Sequence, residues 1–317
     1  MQISKHTCLY CYEPLLSKEE IIQEFHSSCS KRFFNKSTPP LLNYTKENIS
    51  ELAEKSVLKQ KTIPGVQPKL SVGTERSTNR LTIIGFLGEY ILKPQTTYYK
   101  ELPEIEDLTM HLAMLSNIRT AKHSLIRLKS GELAYLTKRM DRINGQKIHM
   151  EDMCQLNNRL TEHKYKGSHE QIAKIIQQYS ENPGLDLINF YELVVFCFLT
   201  GNNDMHLKKF SLIKNDEKNY ELAPAYDLVA AQLLVEKDTE ELALTLNGKK
   251  KNIHKKDLIF AMKNANINDK AIENLFQNFN YLLPVWHAMI NRSFLSMEMK
   301  ENYHTMIDSK FISIKID

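Results

Sequence analysis

The chain has 317 residues, of which 42% are hydrophobic and 25% charged, and its 42 basic and 38 acidic side chains leave a formal net charge of +4. That composition is enough for two lobes or domains with cores of their own, and it is too balanced to argue for nucleic-acid binding on charge alone. The opening MQISKHTCLYCYEPLL lacks the basic-then-apolar pattern of an export signal, and no apolar run reaches the ~18 residues of a membrane span. The longest candidate, near 187–199, is interrupted by Asn189, Tyr191 and Glu192. A cytoplasmic protein without a membrane segment is therefore expected, and five cysteines in no disulfide pattern read as reduced thiols or metal ligands.

Residues 1–36 form a small Cys/His unit. Cys8, Cys11, His26 and Cys29 follow the spacing C-x2-C-x14-H-x2-C, close to that of a structural zinc site. Buried or free thiols are the alternative reading. Cys154 and Cys197 sit in apolar surroundings and read as core residues. Residues 37–49, STPPLLNYTKENI, read as a linker in which Pro39 and Pro40 bar helix. A helix is expected near 47–59, followed by the β-type runs KLSVG, NRLTIIGF and EYILKP. A helix over roughly 104–118 follows from Pro103 and the spacing of Leu108, Leu112 and Leu115. ELAYLTKRMDR reads as a strand, and KIHMEDMCQL as a turn into helix.

The second half is mostly helical. Helices are expected over 169–180 and 186–200, with short strands at FSLIKN and YELAPAYD. The tail carries an apolar seam at Leu275, Phe279, Leu282, Trp286, Ile290 and Phe294, in which Pro284 should kink or divide the helix. A β-rich half followed by an α-rich half suggests two lobes with a cleft.

The chemistry concentrates at a few points. GNNDMHLKKFSLI (201–213) follows the buried run DLINFYELVVFCFLT, so Asp204 stands on a loop held by something rigid. Asp227, in APAYDLV, follows a predicted strand. Two carboxylates on neighbouring loops suit a Mg²⁺–triphosphate site, where one orients an attacking hydroxyl and the other holds metal. Taken singly, Asp204 also reads as the cap of a turn and Asp227 as the cap of a helix, a common task for aspartate. TIPGVQPKLSV (62–72) reads as a loop entering a strand, able to offer backbone N–H groups and Lys69 to phosphate, or as a plain surface turn. Lys93 ends a β-type run, where it could meet phosphates or remain solvated. LNGKKKNIHKKD (246–257) puts five lysines in one stretch, a solvated loop or a patch for tRNA or an acidic partner.

Taken in order, GVQPKLSV, YILKP, KRMDR, HMEDMCQL, GNNDMHLKKFSL and APAYDL resemble the signatures of the HipA-like serine/threonine kinases, toxins of bacterial toxin–antitoxin systems. The resemblance covers about residues 60 to 310. It is nearest the short HipT form of HipBST systems, since only about 60 residues precede the phosphate loop. Short-form relatives often begin with such a Cys/His segment. The resemblance implies an α+β, bilobal protein-kinase-like (HipA-like) fold divided as 1–36, 37–142 and 143–317, with ATP and Mg²⁺ as cofactors. It implies Asp204 as the catalytic aspartate and Asp227 as the metal aspartate. Gly65, Val66, Gln67 and Lys69 would form the phosphate loop, and Lys93 would contact phosphates, with Glu106 as its candidate partner. Lys138 to Met140 would form the adenine hinge, with Asp141 near ribose and His206 orienting the catalytic loop. It implies an aminoacyl-tRNA synthetase as target, HipS-like and HipB-like antitoxin partners, and DNA contact only through the latter. A nucleotide-binding pseudokinase is the rival reading.

Two positions depart from the family pattern. The motif around Asp204 usually ends in Lys-Asn-Phe, and that asparagine ligates Mg²⁺; here the position is Lys209. An ammonium repels a metal or replaces part of its charge, unless Asn202 or Asn203 supplies the missing ligand. The serine pair that family members autophosphorylate is replaced by Thr62 and Pro64, leaving Thr62 as the one acceptor.

Overall fold

The computed structural model describes residues 6–49, 51–52, 67–75, 77–84, 88–143, 145–215, 219–235 and 238–314. The chain divides into two units: 1–108 with 121–145 and 292–295, and 109–120 with 146–291 and 296–317.

The first unit begins with two short helices, α1 (Lys18–Gln23) and α2 (Ser27–Phe34). Five strands follow: β1 (Leu70–Glu75), β2 (Arg80–Ile83), β3 (Tyr90–Pro94), β4 (His123–Arg127) and β5 (Leu133–Lys138). They form one antiparallel sheet in the order β2-β1-β3-β5-β4. The helix α3 (Leu102–Leu115) starts in this unit and ends in the second. Phe33 and Phe34 of α2 close on Tyr90 of β3, with centroids 5.6 and 5.9 Å away, so the amino-terminal segment shares the core of the sheet. The stretch expected as a linker is docked as well. Leu41 bridges to Arg80, Leu42 is buried, and the Tyr44 hydroxyl accepts from the Ile83 N–H at 3.4 Å. Two prolines bar helix there but leave extended backbone free to lie along a sheet edge. Of the helix expected over 47–59, residues 53–59 lie outside the described residues, and 46–49 and 51–52 are helical.

The second unit contains a three-stranded antiparallel sheet, with β6 (Met150–Asp152) paired to β7 (Ser211–Lys214) and β7 to β8 (Tyr220–Leu222). Asp152 also caps the short α4 (Met153–Leu156). Helix α5 (His169–Tyr179) starts in a capping box of Ser168 and Gln171. Helix α6 (Pro183–Leu199) has Pro183 in its first turn, where a missing N–H costs nothing. Its residues Phe190 to Leu199, apart from the partly exposed Glu192, are buried, which is why the sequence there shows no amphipathic stripe. Three further helices complete it: α7 (Lys255–Asn264), α8 (Asp269–Arg292) and α9 (Met297–Ser313).

Pro284 does not divide the tail helix: α8 runs through it as one element. Leu275, Phe279, Leu282, Trp286 and Ile290 are all buried on one face, and their packing outweighs the lost backbone bond. Trp286 sits edge-on to Phe196, Phe279 and Phe311 at 5.4 to 5.8 Å and donates its indole N–H to Ser116 Oγ at 3.1 Å. Phe294 falls beyond the helix end and packs in the first unit, edge-on to Tyr12 at 5.1 Å. No helix among the described residues is long and apolar enough to cross a membrane.

Candidate active site

The loop bearing Asp204 is set by the way α6 ends. Gly201 adopts φ +63°, its N–H bonds the Phe198 carbonyl at 3.3 Å, and the Asn202 N–H bonds the Cys197 carbonyl at 2.8 Å. This Schellman turn satisfies the last carbonyls of the helix and throws the chain sideways. A Cβ at Gly201 would lie 2.4 Å from Met306 Sδ, so the position admits no side chain without a shift. Asn202 Oδ1 then accepts from the Asp204 N–H at 3.4 Å, and Asn203 Nδ2 donates to Asp238 and the Glu240 carbonyl, both at 2.9 Å. The two asparagines shape the loop, and their amides serve backbone and neighbours rather than a metal.

Next, residues Leu207–Lys209 make one 3₁₀ turn, with His206 at its start accepting the Lys208 N–H on Nδ1 at 3.3 Å. The ring proton of His206 is therefore on Nε2. Burial, followed by the nearby Lys209 ammonium, pushes the His206 pKa down to about 4, so the ring stays neutral near pH 7. Lys208 turns away to Asp152 at 2.8 Å. Tyr226 fixes this turn from outside by donating to the Lys208 carbonyl at 3.0 Å while its oxygen lies 2.6 Å from Ser211 Oγ.

Asp227 follows Tyr226 with φ +59°, a left-handed backbone that aspartate tolerates better than most residues. Its carboxylate and that of Asp204 converge on one point, and Lys209 occupies it. Lys209 Nζ is 2.7 Å from Asp227 Oδ2, 3.2 Å from the Asp227 carbonyl and 3.4 Å from Asp204 Oδ2. The other Asp204 oxygen accepts from the Tyr165 hydroxyl at 2.6 Å. Burial would raise the Asp204 pKa, but the Lys209 ammonium and the Tyr165 hydroxyl outweigh it and hold the carboxyl below its usual range. Hard oxygen donors around a seated cation are a set that Mg²⁺ accepts. The sequence does not mark Tyr165 as a site residue. The tyrosine lies 39 positions before Asp204 in a polar stretch, EHKYKG, that carries no motif.

In the first unit, Lys93 on β3 and Glu106 on α3 form an ion pair, and both are buried, at 3% and 0% exposure. The Lys93 ammonium also lies 5.2 Å from the centre of the Tyr135 ring, its cross-strand neighbour. Gln67 Nε2 donates to the Pro94 carbonyl at 3.0 Å, tying the incoming chain to the end of β3, and Lys69 is exposed just before β1. Thr62, Gly65 and Val66 lie outside the described residues. At the expected hinge, the Lys138 N–H bonds the Lys122 carbonyl and the Arg139 N–H the Glu89 carbonyl, both at 2.8 Å. Met140 follows, and the Asp141 carboxylate is gripped by Arg139 at 2.8 Å and Arg142 at 2.6 Å. Those guanidiniums overcome its burial and lower its pKa.

The Cys/His residues meet in the same unit. One ligand atom each from Cys8, Cys11, His26 and Cys29 lies within 4.8 Å of the others. His26 Nδ1 is 3.4 Å from Cys11 Sγ and 3.8 Å from Cys29 Sγ, on either side of the roughly 3.6 Å N···S edge that a Zn–N bond of ~2.1 Å and a Zn–S bond of ~2.3 Å give a tetrahedron. His26 Nε2 donates to the Pro14 carbonyl at 3.1 Å, which leaves Nδ1 as the lone-pair nitrogen facing the sulfurs. The donor set fits zinc. Cys154 and Cys197 are buried away from it, as expected of core thiols. Within the lysine-rich stretch, Lys249 pairs with Asp257 at 2.9 Å and Lys250 with Glu240 at 3.2 Å.

Comparison with known proteins gives this geometry a family. The model of the HipA-like C-terminal domain matches residues 62–286. Y4dM of Sinorhizobium fredii, described as a candidate kinase, is 30% identical over 244 residues, covering 72% of this chain and 59% of that protein. A candidate kinase of Haemophilus influenzae is 31% identical over 181 residues, 53% of this chain and 52% of the relative. The chain thus spans between half and three-fifths of the length of these two relatives. Among solved structures, HipA of Shewanella oneidensis, determined with HipB and its operator DNA, superposes with a TM-score of 0.70 at 18% identity, over 95% of this chain and 80% of that one. The Helicobacter pylori proinflammatory kinase CtkA gives 0.54 at 17% identity, over 77% and 90%. The fold is the mixed α+β, kinase-like fold that these structures share, and the chain belongs to the HipA-like C-terminal domain family.

Proposed function

We propose that this chain is a serine/threonine protein kinase of the short HipT type, transferring the γ-phosphate of ATP to a hydroxyl of another protein. The observation that carries this reading is the convergence of Asp204 and Asp227, on separate loops, about a single cation position. Asp204, held ionised by the Lys209 ammonium and then by the Tyr165 hydroxyl that also aims it, orients the attacking hydroxyl and takes its proton at Oδ1 or Oδ2. Asp227 would hold Mg²⁺, which when bound would supply positive charge beside the nucleotide phosphates. Lys93, paired with Glu106, contacts nucleotide phosphates, and Gln67 and Lys69 with Gly65 and Val66 form the phosphate loop. Lys138 to Met140 face adenine, and Asp141 acts through its arginines. His206, neutral and bonded to the Lys208 N–H, keeps the catalytic turn in shape.

The wider role follows the family. The target is an aminoacyl-tRNA synthetase, and the chain works as a toxin in the cytoplasm with HipS-like and HipB-like antitoxins. The Shewanella HipA structure, with HipB and operator DNA, supports a HipB-like partner as the route to DNA. Thr62 is the proposed autophosphorylation site, and Cys8, Cys11, His26 and Cys29 hold a structural Zn²⁺. The residues 1–36, 37–142 and 143–317 are proposed as zinc segment, small lobe and catalytic lobe.

Transfer of γ-phosphate from Mg-ATP to a synthetase panel and to the chain itself tests the reading. Asp204→Asn should reduce transfer at least ~100-fold, and intact mass should show one phosphate on the wild type that Thr62→Ala removes. Undiminished transfer by Asp204→Asn sinks the assignment. One feature favours a second reading, a nucleotide-binding pseudokinase: the ammonium of Lys209 stands where a metal would. ATP binding without any transfer would select it.

A further inference from the structure

The seat between Asp204 and Asp227 already contains a cation. Lys209 Nζ is bounded by two carboxylate oxygens and a backbone carbonyl at 2.7, 3.4 and 3.2 Å. That is a ligand set of a hard divalent ion rather than of an ordinary surface lysine, whose partner is usually one carboxylate in water. Lys209 is only 10% exposed, and its backbone is fixed on both sides. Its N–H bonds the His206 carbonyl at 2.9 Å, and the next residue, Phe210, receives the Met153 N–H at 2.8 Å. Its reach is therefore built in. Lys208, one residue earlier, is drawn off to Asp152, so the two neighbouring lysines have separate tasks.

We infer that Lys209 is an internal counter-cation, a positioning residue that substitutes for one divalent ion at the paired aspartates. This rests on the phosphotransfer reading and deepens it: the reaction would run with one metal fewer than a site whose aspartates are bridged by ions alone. With the lysine present, the seat has a net charge of −1 and attracts a divalent ion weakly. Without it, the charge is −2 and the seat is open.

Manganese binding to the full, nucleotide-free chain reads this directly, because free Mn²⁺ gives a resonance signal that bound Mn²⁺ loses. Lys209→Asn should bind Mn²⁺ at least tenfold more tightly than the wild type. Lys209→Met, which removes the charge without adding a ligand, should also tighten it. Lys209→Arg should leave it weak, and adding Asp227→Asn to Lys209→Asn should abolish the gain. Affinity unchanged or reduced in both neutral variants overturns the inference, and the pair guards against one of them misfolding. The kinase reading fails separately. Tighter Mn²⁺ with no phosphate transfer by any variant removes the kinase and leaves the counter-cation, whereas transfer with unchanged Mn²⁺ affinity does the reverse.

Discussion

Lys93 and Glu106 show what a buried charge demands of its neighbours. Both are removed from water, so each is tolerable only beside the other. Lys93→Met should therefore cost about 3–5 kcal/mol in urea unfolding, and Lys93→Met with Glu106→Leu should recover most of that while still lacking nucleotide binding. A stability loss in the double variant equal to that of the single one would contradict this account. His169 is a buried titratable group of the second unit. It is fully buried against Phe190 and Phe210, with Nδ1 donating to the Thr245 carbonyl at 3.1 Å. Burial pushes its pKa down to about 4 from an ordinary 6.5. The unfolded chain thus takes up this proton first, and stability is lost as pH falls from about 6.5 towards 4. The loss reaches about 2 kcal/mol at pH 5. Urea midpoints at pH 7 and 5, for the wild type and His169→Gln, should show a smaller pH dependence in the variant.

Among the elements, those with a clean signal were legible in advance. KLSVG, NRLTIIGF, EYILKP and ELAYLTKRMDR became β1, β2, β3 and β5, because Gly and Pro bracket β-branched runs. Strand β4 was not foreseen: in His123–Arg127 four successive residues are buried, so no alternation marks it. Asp204 and Asp227 stand in motifs, so their convergence could be anticipated, whereas the link of Tyr165 to Asp204 exists only in three dimensions. Ser168→Ala, which removes the cap of α5, should cost about 1 kcal/mol. Gly201→Ala must place a methyl 2.4 Å from Met306 Sδ at φ +63°. It should cost more than Ser168→Ala and also lower phosphate transfer, because the displaced turn carries Asp204. Denaturation and transfer assays on the two variants separate a loss of stability from a loss of geometry.

The amino-terminal segment is part of what holds the first unit together. The Tyr12 hydroxyl donates to Asp107 at 2.6 Å, and the other Asp107 oxygen lies 2.7 Å from His123 Nδ1. All three are at most 2% exposed. One hydrogen-bonded chain thus joins the Cys/His segment, α3 and β4, directly beside Glu106. Stripping metal with a strong chelator should lower the melting temperature of the chain by several degrees, as expected of a ligand bound only by the folded form. Cys11→Ser should reproduce the loss without chelator. Metal analysis giving no zinc in protein purified without chelator would end that expectation.

The left-handed backbone at Asp227 affects how any mutational survey of this protein should be designed. Alanine there removes the carboxylate and also forces a Cβ-bearing, non-polar residue into a conformation costing roughly 1–2 kcal/mol. An alanine scan would merge conformational strain with lost chemistry and overstate the latter. Asparagine keeps the shape and tolerates that backbone, so Asp227→Asn isolates the charge, and the difference between the two variants measures the strain the loop stores.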